Sequence, residues 1–151
     1  MPYQHLLVAV DFSDSSRRAL LRALAIARAL QADLSVVHVL ELAVNPILED
    51  TAVIGLPGVW EQDLNHSLLA ETETKFLAWQ REVFSESPFE VACKCYLEAG
   101  PVVPTLLHLI ELHEVDCLVL GFQSHSALHA LFGGSGPALW AQTPCDVLRV
   151  K

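Results

Sequence analysis

Leu6-Leu7-Val8-Ala9-Val10, followed by Asp11-Phe12-Ser13-Asp14-Ser15-Ser16, is the stretch that decides the fold. A run of five apolar residues without alternation marks a strand buried on both faces, as in the middle of a parallel sheet. The run stops at Asp11, and the Asp/Ser cluster supplies side-chain oxygens that cap a helix. The residues beyond it place Leu20, Ala23, Leu24, Ala27 and Leu30 on one helical stripe, with Arg18 and Arg22 off it. Strand, cap and amphipathic helix in that order are the opening of a βαβ unit.

Outward from there the pattern repeats. Leu34–Leu40 is a second apolar strand. Residues 41–61 carry Pro46, Gly55 and the Pro57-Gly58 pair, so a long connection is expected, of the kind that usually carries function. Gln62–Asn65 open a second helix with Leu68 or Leu69, Thr72, Phe76, Trp79 and Val83 inward. Phe89–Leu97 alternates and is expected to be a strand nearer an edge. Gly100-Pro101 and Pro104 start a third helix with a stripe of Val103, Leu106, Leu107 and Ile110, proline being harmless in a first turn. Cys117-Leu118-Val119-Leu120 is the next buried strand, ending at Gly121. Pro137–Gln142 is expected to be a short helix, and Asp146–Val150 a last strand at a sheet edge. This order predicts an α/β fold: a three-layer, open, doubly wound, parallel five-stranded sheet in one domain over residues 1–151.

Composition narrows the function. A chain of 151 residues with 52% apolar content can cover both faces of such a sheet. The net charge of −9 argues against a nucleic-acid-binding module, which needs a basic stripe for phosphates. It leaves room for a single nucleotide, because backbone amides bind phosphate without Lys or Arg. No stretch approaches the length of a membrane span, and the first residues lack the basic start of a signal peptide. The four cysteines, Cys93, Cys95, Cys117 and Cys145, show neither CxxC spacing nor a disulfide framework. They are expected to be structural thiols, Cys93 and Cys95 as buried small residues on one face, in a cytoplasmic, reducing setting.

The residues that carry chemistry follow the fourth strand. Gly121-Phe122-Gln123-Ser124 is separated by nine residues from Gly134-Ser135-Gly136-Pro137. Nucleotides bind at such strand ends in open α/β sheets. Glycine there removes the Cβ atoms that would hold phosphate oxygens away from backbone N–H groups, Ser135 adds a hydroxyl, and a helix starting at Pro137 points its positive end at the anion. An ordinary glycine-rich loop before a helix remains the alternative. His125 and His129 are four apart, a zinc-ligand spacing, but no third ligand lies close in sequence. His38 is expected to be a satisfied core or rim histidine. No Ser/His/Asp or Cys/His arrangement and no Gly-x-Ser-x-Gly marks a catalytic nucleophile.

Over essentially its whole length the chain resembles the universal stress proteins. The resemblance rests on His5–Ser13, Leu34–Val39, Asp116–Gly121 and Thr143–Val150. It implies a Rossmann-like fold of the adenine nucleotide alpha hydrolase-like type. In the ATP-binding branch the signature is Gly, two residues, Gly, nine residues, Gly, then Ser or Thr; here it reads Gly121-x2-Ser124-x9-Gly134-Ser135, with one glycine replaced. The resemblance implies that Asp11 meets the ribose and adenine, that the Val39 backbone reads the adenine edge, and that Ala9 or Val10 closes the cleft. It further implies that Leu120 and Gly121 flank the nucleotide, that Gly134, Ser135 and Gly136 hold the phosphates, and that the last strand pairs with its copy in a homodimer. The alternative for Asp11 is an acidic residue in a helix cap.

Three functions are compatible with these residues. One is a regulatory stress-response protein that binds ATP or another adenine nucleotide, with Mg²⁺ held by the phosphates. Another is a dimeric interaction module without nucleotide. The last is an enzyme of a neighbouring fold group, which would want Ser-Gly-Gly after the first strand or a His-x-x-His motif; this chain has Asp11-Phe-Ser-Asp-Ser there. Without an acid–base pair, ATP hydrolysis would be slow at most.

Overall fold

The computed structural model describes residues 2–41, 58–88, 90–122 and 139–151, with the backbone alone at 58–65 and 139–140. Its elements are β1 (His5–Ala9), α1 (Asp14–Leu30), β2 (Asp33–Leu40), α2 (Gly58–Glu86), β3 (Cys93–Ala99), α3 (Val102–Leu112), β4 (Cys117–Gly121), α4 (Leu139–Gln142) and β5 (Asp146–Val150). The strands form one sheet in the order β3-β2-β1-β4-β5. All its pairings are parallel.

The first apolar run sits at the centre because it is apolar on both faces. Leu6, Val8 and Val10 enter one core with Leu20, Ala23, Leu24 and Ala27 of α1 and Phe76, Trp79 and Val83 of α2. Leu7 and Ala9 enter the other, with Leu118 and Leu120 of β4 and Leu106, Leu109 and Ile110 of α3. Each large side chain so enclosed contributes roughly 1.5–3 kcal/mol relative to exposure. Helices on both faces make the three layers of a doubly wound sheet.

Helix α1 begins where the capping cluster places it. Ser13 is the N-cap, its Oγ accepting from Ser16 N at 3.1 Å. Asp14 in the first turn and Arg28 in the last suit the helix dipole. Gln31 ends the helix in a left-handed conformation, φ 56°, its N–H returning to the Ala27 carbonyl. Arg17 reaches from α1 to α2, pairing with Glu82 at 2.6 Å and also with Glu86.

Several elements differ from the sequence expectation. Helix α2 starts at Gly58, a turn before Gln62. Strand β3 runs Cys93–Ala99, later than 89–97, because its extent is set by register with β2, from Leu34↔Cys93 to Leu40↔Ala99. On α3 the buried residues are Val102, Leu106, Leu109 and Ile110, with Val103 and Leu107 flanking. Leu30 is exposed, because it lies in the last turn of α1 beyond its neighbours' reach. Cys95 is exposed and Cys93 only half-buried, since their strand is a sheet edge; Cys117, on β4, is buried. The segment 42–57 and the residues before Leu139 in the expected last helix lie outside the described residues.

Candidate functional site at the carboxyl edge between β1 and β4

The chain leaves β1 toward β2 on one side, while β4 leads to β5 on the other. The crevice beyond the carboxyl ends of β1 and β4 is therefore the topological switch point, the place where open α/β sheets bind ligands. Ala9 pairs with both Val37 and Leu120 in register. Val10 prolongs the pairing, its N–H donating to the Val37 carbonyl at 2.9 Å.

The fold brings Ala9, Val10, Asp11, Leu120 and Gly121 to this one edge. The side chains of Ala9, Val10 and Leu120 are core, so these positions present backbone to the crevice. Val39 lies on β2, two residues past the partner of Ala9, half-buried against the α3-side core. Gly121 has a different reason to be glycine than closeness to a phosphate: a Cβ there would collide with Ser15 in the first turn of α1. Ser124, Gly134, Ser135 and Gly136, like His125 and His129, lie outside the described residues.

Asp11 is held from behind by the helix cap. Its Oδ1 accepts from Ser13 N at 3.1 Å, Ser13 Oγ at 2.5 Å and Ser16 Oγ at 2.7 Å. The Ser16 hydroxyl in turn accepts from Asp11 N at 3.0 Å. The carboxylate is thus fixed at the strand end, and an acceptor-only group so oriented suits hydroxyl or amide donors.

One group of site residues escaped sequence reasoning. Phe12 adopts a left-handed conformation, φ 64°, costly for a residue with a Cβ. Its ring repays the strain by packing 4.3 Å from the His38 ring, 5.7 Å from Trp79 and 5.9 Å from Phe76, with Lys75 Nζ 4.9 Å above it. His38 Nδ1 bonds the Val10 carbonyl at 2.7 Å, so it is the satisfied rim histidine that alternation along β2 implied. Burial pushes the His38 pKa below its ordinary value, opposed by the Val10 carbonyl and by Asp11, while Lys75 adds to the depression. A bulky residue between a strand end and its capping serine is the only sequence signal for this cluster.

At the other side of the crevice Phe122 is exposed, its N–H donating to the Val150 carbonyl at 2.7 Å. The Arg149 guanidinium lies 4.6 Å and the Lys151 ammonium 5.7 Å from its ring centroid. Two cations thus gather on the carboxyl edge of an acidic chain. Among the described residues no group of three or more His, Cys, Asp or Glu is placed to hold a metal ion. None of their helices is long and apolar enough to cross a membrane.

The model of the universal stress protein family matches residues 2–151. The chain belongs to the universal stress protein family. Universal stress protein A homolog 1 of Coxiella burnetii is 28% identical over 153 residues, covering 99% of this chain and 97% of that protein. A universal stress protein solved in complex with cAMP superposes with a TM-score of 0.68 at 22% identity, covering 100% of this chain and 99% of that one. The universal stress protein from Archaeoglobus fulgidus in complex with dAMP gives 0.58 at 17% identity, with 100% of each chain covered. The parallel five-stranded sheet with helices on both faces is the fold this family member shares with those structures.

Proposed function

We propose that this universal stress protein binds an adenine nucleotide, ATP foremost, in the crevice between the carboxyl ends of β1 and β4, and acts as a regulatory stress-response protein. The observation that carries the reading is the Asp11 carboxylate, fixed by Ser13 and Ser16 at the switch point beside the backbone of Ala9, Val10, Leu120 and Gly121. Asp11 would accept from the ribose hydroxyls and the Val39 backbone would read the adenine edge. Ser124, Gly134, Ser135 and Gly136 would receive the phosphates, with Mg²⁺ arriving on them. The cAMP and dAMP complexes of the structural neighbours support the adenine class. Four free cysteines suit a cytoplasmic, reducing setting.

A second reading, the dimeric interaction module, is favoured by β5. This edge strand leaves Val147 and Leu148 only half-buried and, among the described residues, pairs with β4 alone. Pairing β5 with its copy would satisfy its outer backbone and complete its burial. Both readings include the homodimer; they part on the ligand.

The test is nucleotide released from the purified, denatured protein and read by anion-exchange chromatography, followed by titration calorimetry with Mg-ATP. Ser124→Gly, which restores the glycine of the family signature, should tighten ATP about fivefold to tenfold, on the scale of the ~1–2 kcal/mol that a Cβ costs where a turn needs a left-handed residue. Ser124→Val should nearly abolish binding. No heat from any of the three proteins leaves the interaction module in place of the nucleotide reading.

A further inference from the structure

Asp11 is flanked on both sides by residues that one side chain holds. His38 lies on β2 one residue past the register partner of Ala9, on the face that α1 and α2 cover. Its Nδ1 meets the carbonyl of Val10, the residue before Asp11, at 2.7 Å. Its ring packs 4.3 Å from the ring of Phe12, the residue after Asp11, with the two planes 34° apart. A carbonyl only accepts, so the proton of the neutral imidazole sits on Nδ1.

An apolar residue would fill this place at lower cost. Leu34 and Val36, which precede His38 on the same face of β2, are apolar and buried. His38 is half-buried between Phe12 and Phe76, and burial disfavours its charged form. What the imidazole adds is a donor for a strand-end carbonyl together with a flat surface for a neighbouring ring.

That neighbour is strained. Phe12 is left-handed, φ 64°, a backbone that persists only where its surroundings over-determine it and that gathers at ligand sites. The turn leads the chain from β1 straight into the α1 cap, where the Asp11 carboxylate meets the Ser13 N–H and the Ser13 and Ser16 hydroxyls. Val10 fixes the start of the turn, with its N–H on Val37 and its carbonyl on His38. The serines therefore set which way the carboxylate is rotated, while His38 sets where the backbone carries it.

We propose that His38 is a positioning residue for the nucleotide site: by gripping Val10 and Phe12 it fixes the backbone of Asp11 so that the carboxylate meets the ribose hydroxyls of an adenine nucleotide. The inference rests on the proposed function, in which Asp11 accepts from those hydroxyls. His38 acts through Asp11, so its loss weakens a ligand with ribose hydroxyls and spares one without them.

Titration calorimetry at pH 8, above the titration of His38, compares Mg-ATP with Mg-2′,3′-dideoxy-ATP on variants shown by thermal melting to be folded. The wild-type protein should prefer ATP by about tenfold or more, the scale of hydrogen bonds to a charged group, and Asp11→Ala should remove most of that preference. His38→Ala, which takes away donor and ring, should cut the preference about fivefold and leave dideoxy-ATP nearly unchanged, as for one bond to a charged group. His38→Phe keeps a ring against Phe12 and loses only the donor; it should cut the preference as well, and it decides the matter where the alanine variant does not fold. Adding His38→Ala to Asp11→Ala should weaken ATP no further, since both act through one carboxylate. Equal weakening of the two ligands by the His38 variants marks a residue that only supports the fold, and overturns the proposal. Losses that multiply in the double variant overturn it too. A preference that Asp11→Ala removes and the His38 variants keep overturns the inference alone. A wild-type protein that binds neither ligand overturns the nucleotide reading, and the inference falls with it.

Discussion

Gly121 and Ser15 touch so closely that no side chain fits between them: a Cβ on Gly121 would lie 2.6 Å from the Ser15 carbonyl carbon and 2.7 Å from its oxygen. The end of β4 thus docks on the first turn of α1, at the switch point between β1 and β4. Gly121→Ala should destabilise the protein by about 1–3 kcal/mol, the range of overpacked cores. Ser15→Ala should not rescue it, since the colliding atoms include backbone. Urea unfolding without nucleotide measures both.

Asp11 serves the α1 cap whatever else it binds. Asp11→Ala removes the acceptor of three bonds from Ser13 and Ser16 and should cost about 1–2 kcal/mol of stability in urea. Calorimetry should show a separate loss of ATP affinity of roughly 1–3 kcal/mol. Lost stability with unchanged affinity would leave Asp11 a cap residue only.

His38 should make stability depend on pH in one direction. Its folded pKa lies below the ordinary 6.5, so the unfolded chain binds the proton first and binds more protons as pH falls from there. Stability rises with pH wherever the unfolded state holds more protons. The His38 contribution is therefore complete above about 6.5 and is lost as pH drops through the folded value. His38→Gln, which keeps a donor for the Val10 carbonyl, should shrink the difference in urea midpoint between pH 5 and pH 8. An unchanged difference would assign it to other groups.

Helix α2 should be held by burial more than by charge. Arg17 is 25% exposed and its partners Glu82 and Glu86 are 64% and 41% exposed, so water screens the pair. Arg17→Ala should cost less than about 1 kcal/mol and less still in high salt. Phe76→Ala, at a side chain 3% exposed, should cost about 3–5 kcal/mol. Denaturant titrations at low and high salt compare them.

The homodimer reading turns on β5. Truncation after Pro144 should leave a monomer in sedimentation, where the full chain sediments as a dimer at micromolar concentration. A full-length monomer of 16.6 kDa under the same conditions removes the pairing of β5 with its copy.

What the sequence determined by itself is whatever depends on local pattern. The short unbroken apolar run Leu6–Val10 reads as a strand covered on both sides, and Ser13 at the next helix start can satisfy free N–H groups at once. Strand and helix order then fixed a parallel, doubly wound sheet, and with it the edge to which Asp11 and Gly121 come. Tertiary structure decided what depends on partners distant along the chain. The limits of β3 follow from register with β2, not from its own alternation. Edge position left Cys95 exposed where alternation implied burial. Phe12 takes a left-handed backbone because His38, Phe76 and Trp79 give its ring a place to pack. The glycine at 121 makes room for Ser15, more than a hundred residues away in the chain. Patterns of hydrophobicity report which face a residue turns inward; they carry no information about which atom waits there, and it is that atom which sets strain, acidity and contact.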